Sequence, residues 1–196
     1  MLNQAAQFLL ENVLSLFVFA ALLRFYMQVF RAPYRNPLTQ FVVALTDFAV
    51  LPLRKLIPGL FGVDMASLFF AWILEFLLLL GLLALSGGSL VNGGPFMVPA
   101  VAVLALVKLF RFSIYLLMIV VFAQAILSWV NPYSAVGPLL EVLSRPFLRP
   151  IRKVIPLVGN VDLSPLVLFL VCQLVLMLPV AWLEQSIAGM LHAPRL

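Results

Sequence analysis

The chain has 196 residues, of which 65% are hydrophobic and 10% are charged, and its mean hydropathy is +1.19. Soluble domains carry about 45–50% apolar and about 25% charged residues, so the composition excludes a water-soluble globular domain. The net charge of +5 does not indicate nucleic-acid binding, because the basic residues cluster beside apolar segments. The single cysteine, Cys172, excludes an intrachain disulfide.

Four apolar segments are long enough to span a bilayer, whose core of about 30 Å requires about 20 helical residues. The first is about 8–30, the second about 66–85 and the fourth about 165–187, in which Pro179 predicts a kink. The second span ends at the glycines and proline of 86–95, which predict turns. We therefore predict an all-α membrane protein with about four transmembrane helices.

The third apolar region, about 96–130, is too long for one span, because a single helix would measure about 52 Å. Trp129 suits the membrane interface, and counting back from it places the span at about 111–130. The extra apolar segment, about 96–107, is then re-entrant, interfacial or part of a long third helix, and the sequence leaves these alternatives open.

Lysine and arginine predict the orientation of the chain. The stretch between spans one and two and the stretch between spans three and four each carry four basic residues, whereas the N-terminus has none. The positive-inside rule then places both basic loops in the cytoplasm and both termini outside. The first eight residues lack the basic region of a signal peptide, so we expect the first span to be retained.

An internal repeat connects the two basic loops. The segment 52–58, Pro-Leu-Arg-Lys-Leu-Ile-Pro, returns at 150–156 as Pro-Ile-Arg-Lys-Val-Ile-Pro, and Val63-Asp64 returns at the same spacing of 98 residues as Val161-Asp162. The sequence therefore predicts two parallel repeats of span, basic loop and span, at 1–88 and 89–196.

The repeated basic motif predicts a short amphipathic interfacial helix in each loop. In the second copy the arginines fall on one helical face and the apolar residues Phe147, Leu148, Ile151 and Ile155 on the other. Pro146 and Pro150 predict short pieces or a kink, and Asn36-Pro37 predicts the start of a helix in the first copy. The candidate contact residues for lipid or a partner are Arg54, Lys55, Arg145, Arg149, Arg152 and Lys153.

A second group of residues precedes the even-numbered spans. Ser164-Pro165 predicts the N-cap and first position of span four, and Asp162 would complement the helix dipole. Asp64 and Ser67 could do the same for span two. We interpret this group as a helix-capping motif.

Charged residues inside spans are costly and are candidates for function. Arg24 and Glu75 fall at heights that differ by about one helical turn in antiparallel spans, which predicts an intramembrane ion pair. Glu75 could instead meet Lys108 or Arg111, or be protonated.

At these motifs the sequence resembles the YggT family of small membrane proteins. The second copy carries the resemblance at Ile126-Leu127-Ser128-Trp129, Asn131-Pro132, the segment 144–156 and Asp162-Leu163-Ser164-Pro165. The first copy departs from it, with Asp64-Met65-Ala66-Ser67 and Leu51-Pro52 in the corresponding places. The resemblance implies a bacterial or plastid membrane protein without known enzymatic activity. Its relatives are linked to cytochrome complex assembly, nucleoid organisation, osmotic or ion stress and the neighbourhood of cell-division genes.

No catalytic or metal-binding constellation is visible in the sequence. Metal sites need clustered ligands, haem needs axial ligands within the bundle and nucleophilic triads need a positioned base, yet the single histidine, His192, lies near the C-terminus. We expect no enzymatic activity and no cofactor.

The leading hypothesis is an accessory protein of the bacterial inner membrane that assists the assembly or organisation of membrane protein complexes. Its expected partners are the bilayer, anionic phospholipid headgroups, other membrane proteins and further copies of itself, and no nucleic acid. The alternative is an oligomeric channel or ion-transport component, because one four-helix bundle encloses little beyond its own side chains.

Overall fold

The computed structural model describes residues 2–33, 36–57, 59, 63–86, 96–131, 133–154 and 162–192. These residues form helices joined by loops, in agreement with the predicted all-α class. In chain order the elements are α1 (Leu2–Val29), α2 (Pro37–Leu56), α3 (Met65–Leu85), α4 (Met97–Val130), α5 (Gly137–Val154), α6 (Ser164–Val175), a π turn (Leu176–Val180) and α7 (Ala181–His192).

Four helical segments are long and apolar enough to cross a membrane: Asn3–Val29, Met65–Leu85, Met97–Val130 and Ser164–Gly189. They confirm the number of predicted spans and the bounds of the second span. The first helix begins earlier than the predicted span, because polar residues such as Asn3 and Gln4 continue the helix beyond its apolar stretch.

The third apolar region is one continuous helix of 34 residues. Of the three alternatives for the extra apolar segment, the long third helix is therefore the one observed. The placement of the span at about 111–130 within this helix stays a prediction. The early turns of α4 pack against the protein, since Val101 and Ala105 are buried. The indole N–H of Trp72 on α3 also donates to the carbonyl of Ala102 at 3.1 Å, so this segment contacts α3.

The same pairs of elements pack together in each half of the chain. In the first half α1 packs against α3, and α2 contacts both; in the second half α4 packs against α6, the π turn and α7, and α5 contacts α4 and α6. The parallel arrangement of two repeats stays a prediction. The halves meet through α4, which contacts α1 and α3, and through α5, which contacts α1.

Two contacts bring the basic helices to the same end of the bundle. The side-chain amide of Asn36 caps α2 by accepting from the backbone N–H of Leu38 at 2.9 Å, and it donates to the carbonyl of Ala135 just before α5. The rings of Phe30, after α1, and Phe147, on α5, meet edge to face with centroids 6.1 Å apart. The predicted helix start at Asn36-Pro37 is confirmed.

The prolines of α5 do not interrupt it. Pro146 and Pro150 lie inside a helix that runs unbroken to Val154, so the expectation of short helical pieces is wrong. Both prolines are exposed, and the carbonyl groups that lack a helical partner can bind solvent there. In the fourth span Pro179 lies within the π turn, which accommodates the missing N–H without ending the helix.

Gly81 marks a close contact of α3 with α1. A Cβ atom at this position would lie 2.7 Å from Cδ2 of Leu10, a distance shorter than any normal carbon contact. A side chain at Gly81 would therefore require the end of the Leu10 side chain to shift. The predicted turns at 87–95, the residues Ile155 and Pro156, and Arg195 lie outside the described residues.

Candidate functional site

Arg54 of the first basic motif is paired with a buried acid. Arg54, near the end of α2, donates through Nε to Asp64 Oδ2 at 3.2 Å and also through Nη2. Asp64 is only 3% exposed and also accepts from the hydroxyl of Ser67 at 2.7 Å. This Arg54–Asp64 contact, which we call the first Arg–Asp clasp, joins the end of α2 to the start of α3.

The second copy repeats the contact at the same spacing. Arg152, near the end of α5, donates through Nε to Asp162 Oδ2 at 2.8 Å, and we call this pair the second Arg–Asp clasp. It joins the end of α5 to the start of α6, but it is more open, with the two side chains 47% and 30% exposed. The same pairing in both copies gives the repeated motif a structural role.

The capping prediction is corrected in part. Ser164 is the first residue of α6 and not its N-cap, and its backbone N–H is instead bound by Asp162 Oδ1 at 2.9 Å. Pro165 occupies the first turn as predicted. Asp64 does stand at the N-cap position of α3, but its side chain makes no capping bond there because it is bound to Arg54 and Ser67.

Both clasps lower the pKa of their carboxyl group. Burial acts to raise the pKa of Asp64, but hydrogen bonds from Arg54 and Ser67 and the charges of Arg54 and Arg24 outweigh it. At Asp162 burial also acts upward, and the hydrogen bonds from Ser164 and the Arg152 guanidinium outweigh it. Both carboxylates are therefore ionised at neutral pH, and the arginines of the clasps balance their negative charge.

Arg24 does not meet Glu75, so the predicted intramembrane pair is wrong. Its guanidinium Nη1 lies 2.8 Å from Asp47 Oδ1 and 2.7 Å from the hydroxyl of Thr46, both on α2, and its Nε lies 3.8 Å from Asp64 Oδ2. Arg24, Asp47 and Arg54 line a cavity of about 390 Å³ between α1 and α2. Two arginines and two aspartates balance each other's charge in this network.

The amphipathic helices dock through matching hydroxyl residues. Thr46 on α2 and Ser144 on α5 are 98 residues apart and are both fully buried. Thr46 accepts from Arg24 of α1, and Ser144 donates to the side-chain carbonyl of Gln124 of α4. Each helix is thus fixed to the span that precedes it.

The exposed face of α5 carries cations that the first copy lacks. Arg145 and Arg149 stand 98 residues after Asp47 and Leu51, so an acid and an apolar residue are replaced by two cations. Both arginines and Lys153 are exposed, and within the described part of the chain no ion pair involves them. We call Arg145, Arg149 and Lys153 the α5 cationic face.

A second group of charges lies within the spans. Arg111 of α4 forms an ion pair with Glu184 of α7, with Nη2 and Oε2 2.7 Å apart. Glu75 of α3 is fully buried, and neither of its carboxylate oxygens has a hydrogen-bond partner among the described residues. Glu75 and Arg111 were identified from the sequence as charges within spans, whereas Glu184 was not.

The partners of the arginines were also missed, although a signal for the clasps was present. In both copies the aspartate follows the arginine by ten residues. A spacing that is the same in both copies of a repeat is typical of two residues in contact. Asp47 carried no such signal, since its counterpart is Arg145. Among the described residues no group of three or more His, Cys, Asp or Glu side chains is arranged to hold a metal ion.

Comparison with known proteins finds relatives that align over most of the chain. The chain is 36% identical over 196 residues to an uncharacterized protein of Pseudomonas aeruginosa, covering 99% of this chain and 95% of that protein. It is 35% identical over 170 residues to an uncharacterized protein from the proC 3′ region of Vibrio alginolyticus, covering 85% and 88%. It is 34% identical over 185 residues to the uncharacterized protein YggT of Escherichia coli K12, covering 94% and 93%.

No solved structure matches the chain. The model of one protein family matches it in two stretches, residues 3–85 and 103–183, one in each predicted repeat. Each stretch contains two spans, the amphipathic helix between them and one Arg–Asp clasp. With most of the chain matched and relatives above 30% identity over nearly its full length, the chain belongs to the CCB3/YggT family.

Proposed function

We propose that this chain is a membrane accessory protein without catalytic activity, which assists the assembly or organisation of membrane protein complexes through the α5 cationic face. The observation that carries the proposal is the set of three exposed cations on α5, whose other face is packed against α4 and α6. Cations held on a fixed helix and left without an internal partner are available to an acidic surface on another molecule.

The contrast between the two copies supports this choice of surface. In the first copy Asp47, which stands in the place of Arg145, pairs with Arg24, and Arg54 is neutralised by Asp64. On α5 Arg152 is paired with Asp162, whereas no ion pair among the described residues involves Arg145, Arg149 or Lys153. If the basic residues served only to set the topology, no such difference would be needed, because the positive-inside rule depends on the number of positive charges and not on whether they are paired.

The proposal includes a location in the bacterial inner membrane, with both basic helices in the cytoplasm and both termini outside. Its support is the distribution of Lys and Arg along the chain and the contacts that bring α2 and α5 to one end of the bundle. The partner is then a membrane protein with an acidic cytoplasmic segment, engaged in complex assembly, in the response to osmotic or ion stress, or in cell division.

The test is co-purification in native lipid discs, with and without the triple variant Arg145→Ala/Arg149→Ala/Lys153→Ala. The variant leaves Arg152 in place, so the second Arg–Asp clasp and the fold are kept. The matched control is Lys55→Ala, which removes the cation that stands 98 residues before Lys153. We expect a stoichiometric protein partner with the unmodified chain and the control, and its loss with the triple variant.

Two other results would count against the proposal. A partner retained by the triple variant would move the contact to another surface. Discs that hold only copies of this chain, with anionic lipid enriched in a way that depends on the three cations, would reduce the α5 cationic face to a headgroup anchor.

The second candidate is an oligomeric channel or ion-transport component, which the charges within the spans favour. Intramembrane ionisable residues commonly line ion or proton paths, and Glu75, Arg111 and Glu184 belong to three different helices. Reconstituted liposomes should then show an ion flux that Glu75→Leu abolishes while the protein still folds. A flux that is absent, or indifferent to Glu75, excludes this candidate.

A further inference from the structure

Glu75 is the most unusual polar residue in the structure. Its side chain is fully buried in the middle of α3, and both carboxylate oxygens lack a hydrogen-bond partner in the part of the chain that the structure describes. A carboxylate in such a place has lost its hydration without any replacement, which costs several kcal/mol. A neutral carboxylic acid avoids most of that cost.

The charged groups around Glu75 come from two other helices. Lys108 of α4 and Glu184 of α7 act on it electrostatically with opposite signs. Arg111 also lies on this side of α4, but its guanidinium is held by Glu184. From α1, which packs against α3, Arg24 is held by Asp47 and Glu11 is exposed.

The Arg111–Glu184 pair leaves further hydrogen-bonding capacity in the same region. Arg111 Nε and Glu184 Oε1 are both buried without a hydrogen-bond partner among the described residues. Glu75 is therefore accompanied by one donor and one acceptor that are also unsatisfied. Buried polar atoms of this kind are the usual binding places of internal water.

We propose that Glu75 is an intramembrane proton-binding site. In the arrangement seen here its carboxyl group carries the proton and is neutral. When the proton leaves, it passes to a water molecule next to the Arg111–Glu184 pair, and the negative charge that remains on Glu75 is compensated by the ammonium group of Lys108. The site thus exchanges a proton without any second ligand, and it needs no contribution from the α5 cationic face.

This inference does not depend on the proposed accessory function. Proton binding is an equilibrium property of one side chain, so it can hold in a scaffold as well as in a transporter. Failure of the partner experiment would leave it intact, and failure of the proton experiment would leave the contact surface intact.

The test is infrared spectroscopy of the purified full chain in lipid nanodiscs. A protonated carboxylic acid has its own carbonyl stretching band, which disappears on ionisation. We expect this band near neutral pH in the unmodified protein, where ordinary carboxyl groups with pKa values near 4 are ionised. It should be absent from Glu75→Gln, which keeps the shape of the neutral acid, and present in the control Glu141→Gln, whose side chain is exposed on α5.

A second variant tests the assigned role of Lys108. Lys108→Met removes the charge that compensates the ionised site, so the band should persist to a higher pH than in the unmodified protein. Glu75→Gln spectra identical to those of the unmodified protein would overturn the proposal, as would a band indifferent to Lys108→Met.

A measurement without substitution covers the case in which Glu75→Gln fails to fold. Isotope-labelled glutamate incorporated into the unmodified chain should shift the neutral-pH band, since the proposal assigns it to a glutamyl carboxyl. A band that does not shift, or no band at all, would overturn the assignment.

Discussion

The two Arg–Asp clasps offer a matched test of how burial sets the strength of an ion pair. Asp64→Asn and Asp162→Asn make the same chemical change at positions 98 residues apart. Asp64 is 3% exposed and binds Arg54 and Ser67, and hydrogen bonds to a buried charged group contribute about 1.5–3 kcal/mol. Because Arg54 is 42% exposed and regains water when released, we expect Asp64→Asn to cost about 2–3 kcal/mol.

Asp162→Asn should cost much less. Asp162 and Arg152 are 30% and 47% exposed, and exposed pairs contribute about 0.2–1 kcal/mol. Asparagine also still caps the N–H of Ser164, since it is as good a capping residue as aspartate. We therefore expect a cost of about 1 kcal/mol or less.

The assay is equilibrium unfolding in mixed micelles with an increasing fraction of denaturing detergent, followed by tryptophan fluorescence. The quantity compared is the change in the free energy of unfolding between each variant and the unmodified chain. A double-mutant cycle of Arg54→Gln with Asp64→Asn should show a coupling energy of about 1 kcal/mol or more. Equal costs for the two aspartates, or a larger cost for Asp162, would refute the argument from burial.

Three further predictions follow from other features. Because the pKa of Asp64 lies below its ordinary value of 3.8, its clasp stabilises the fold fully above about pH 4, and this stabilisation is lost as the pH falls through the lowered value. In melting curves recorded at decreasing pH, Asp64→Asn should therefore lose less stability than the unmodified chain. Gly81→Leu should destabilise the fold by about 1–3 kcal/mol through overpacking, and Leu10→Ala should restore part of it in the same unfolding assay, whereas additive costs would contradict the contact. In a cysteine-free background, Ser86→Cys should react with an impermeant maleimide in intact cells and Tyr133→Cys only after lysis, and the reverse pattern would invert the proposed topology.

The helices were predictable where apolar length and end signals agreed. Span two was placed within one residue because its apolar run is bounded by Asp64 and Ser86. The extent of the third helix was not, because one bilayer length counted back from Trp129 reaches only Arg111, whereas α4 begins at Met97. In the structure Arg111 is neutralised by Glu184 of α7, and a partner from a distant helix cannot be read from hydropathy.

The site was predictable in its residues but not in its contacts. The repeated motif pointed to Arg54, Arg152, Asp64 and Asp162, but the acids were interpreted as helix caps and the arginines as contacts for lipid or a partner. The predicted Arg24–Glu75 pair was wrong because it rested only on the positions of the two residues along their spans. That comparison left out α2, whose Asp47 lies closer to Arg24 than any acid within a span. An amphipathic helix folded back on its own span can neutralise charges that appear isolated in sequence.

The π turn of the fourth span determines which way Glu184 points. The buried residues of this span recur every four positions, at 164, 168, 172, 176 and 180, and Glu184 follows at the next interval. In a regular α-helix each step of four overshoots a full turn by about 40°, so the line of contacts would rotate steadily away from α4. The π turn at 176–180 inserts one extra residue and so takes back about 100° of that rotation. Converting this turn to a regular α-helix of the same length would rotate Glu184 by about 100° and leave Arg111 without its partner. Deleting a single residue there would instead remove the extra residue and keep Glu184 facing α4.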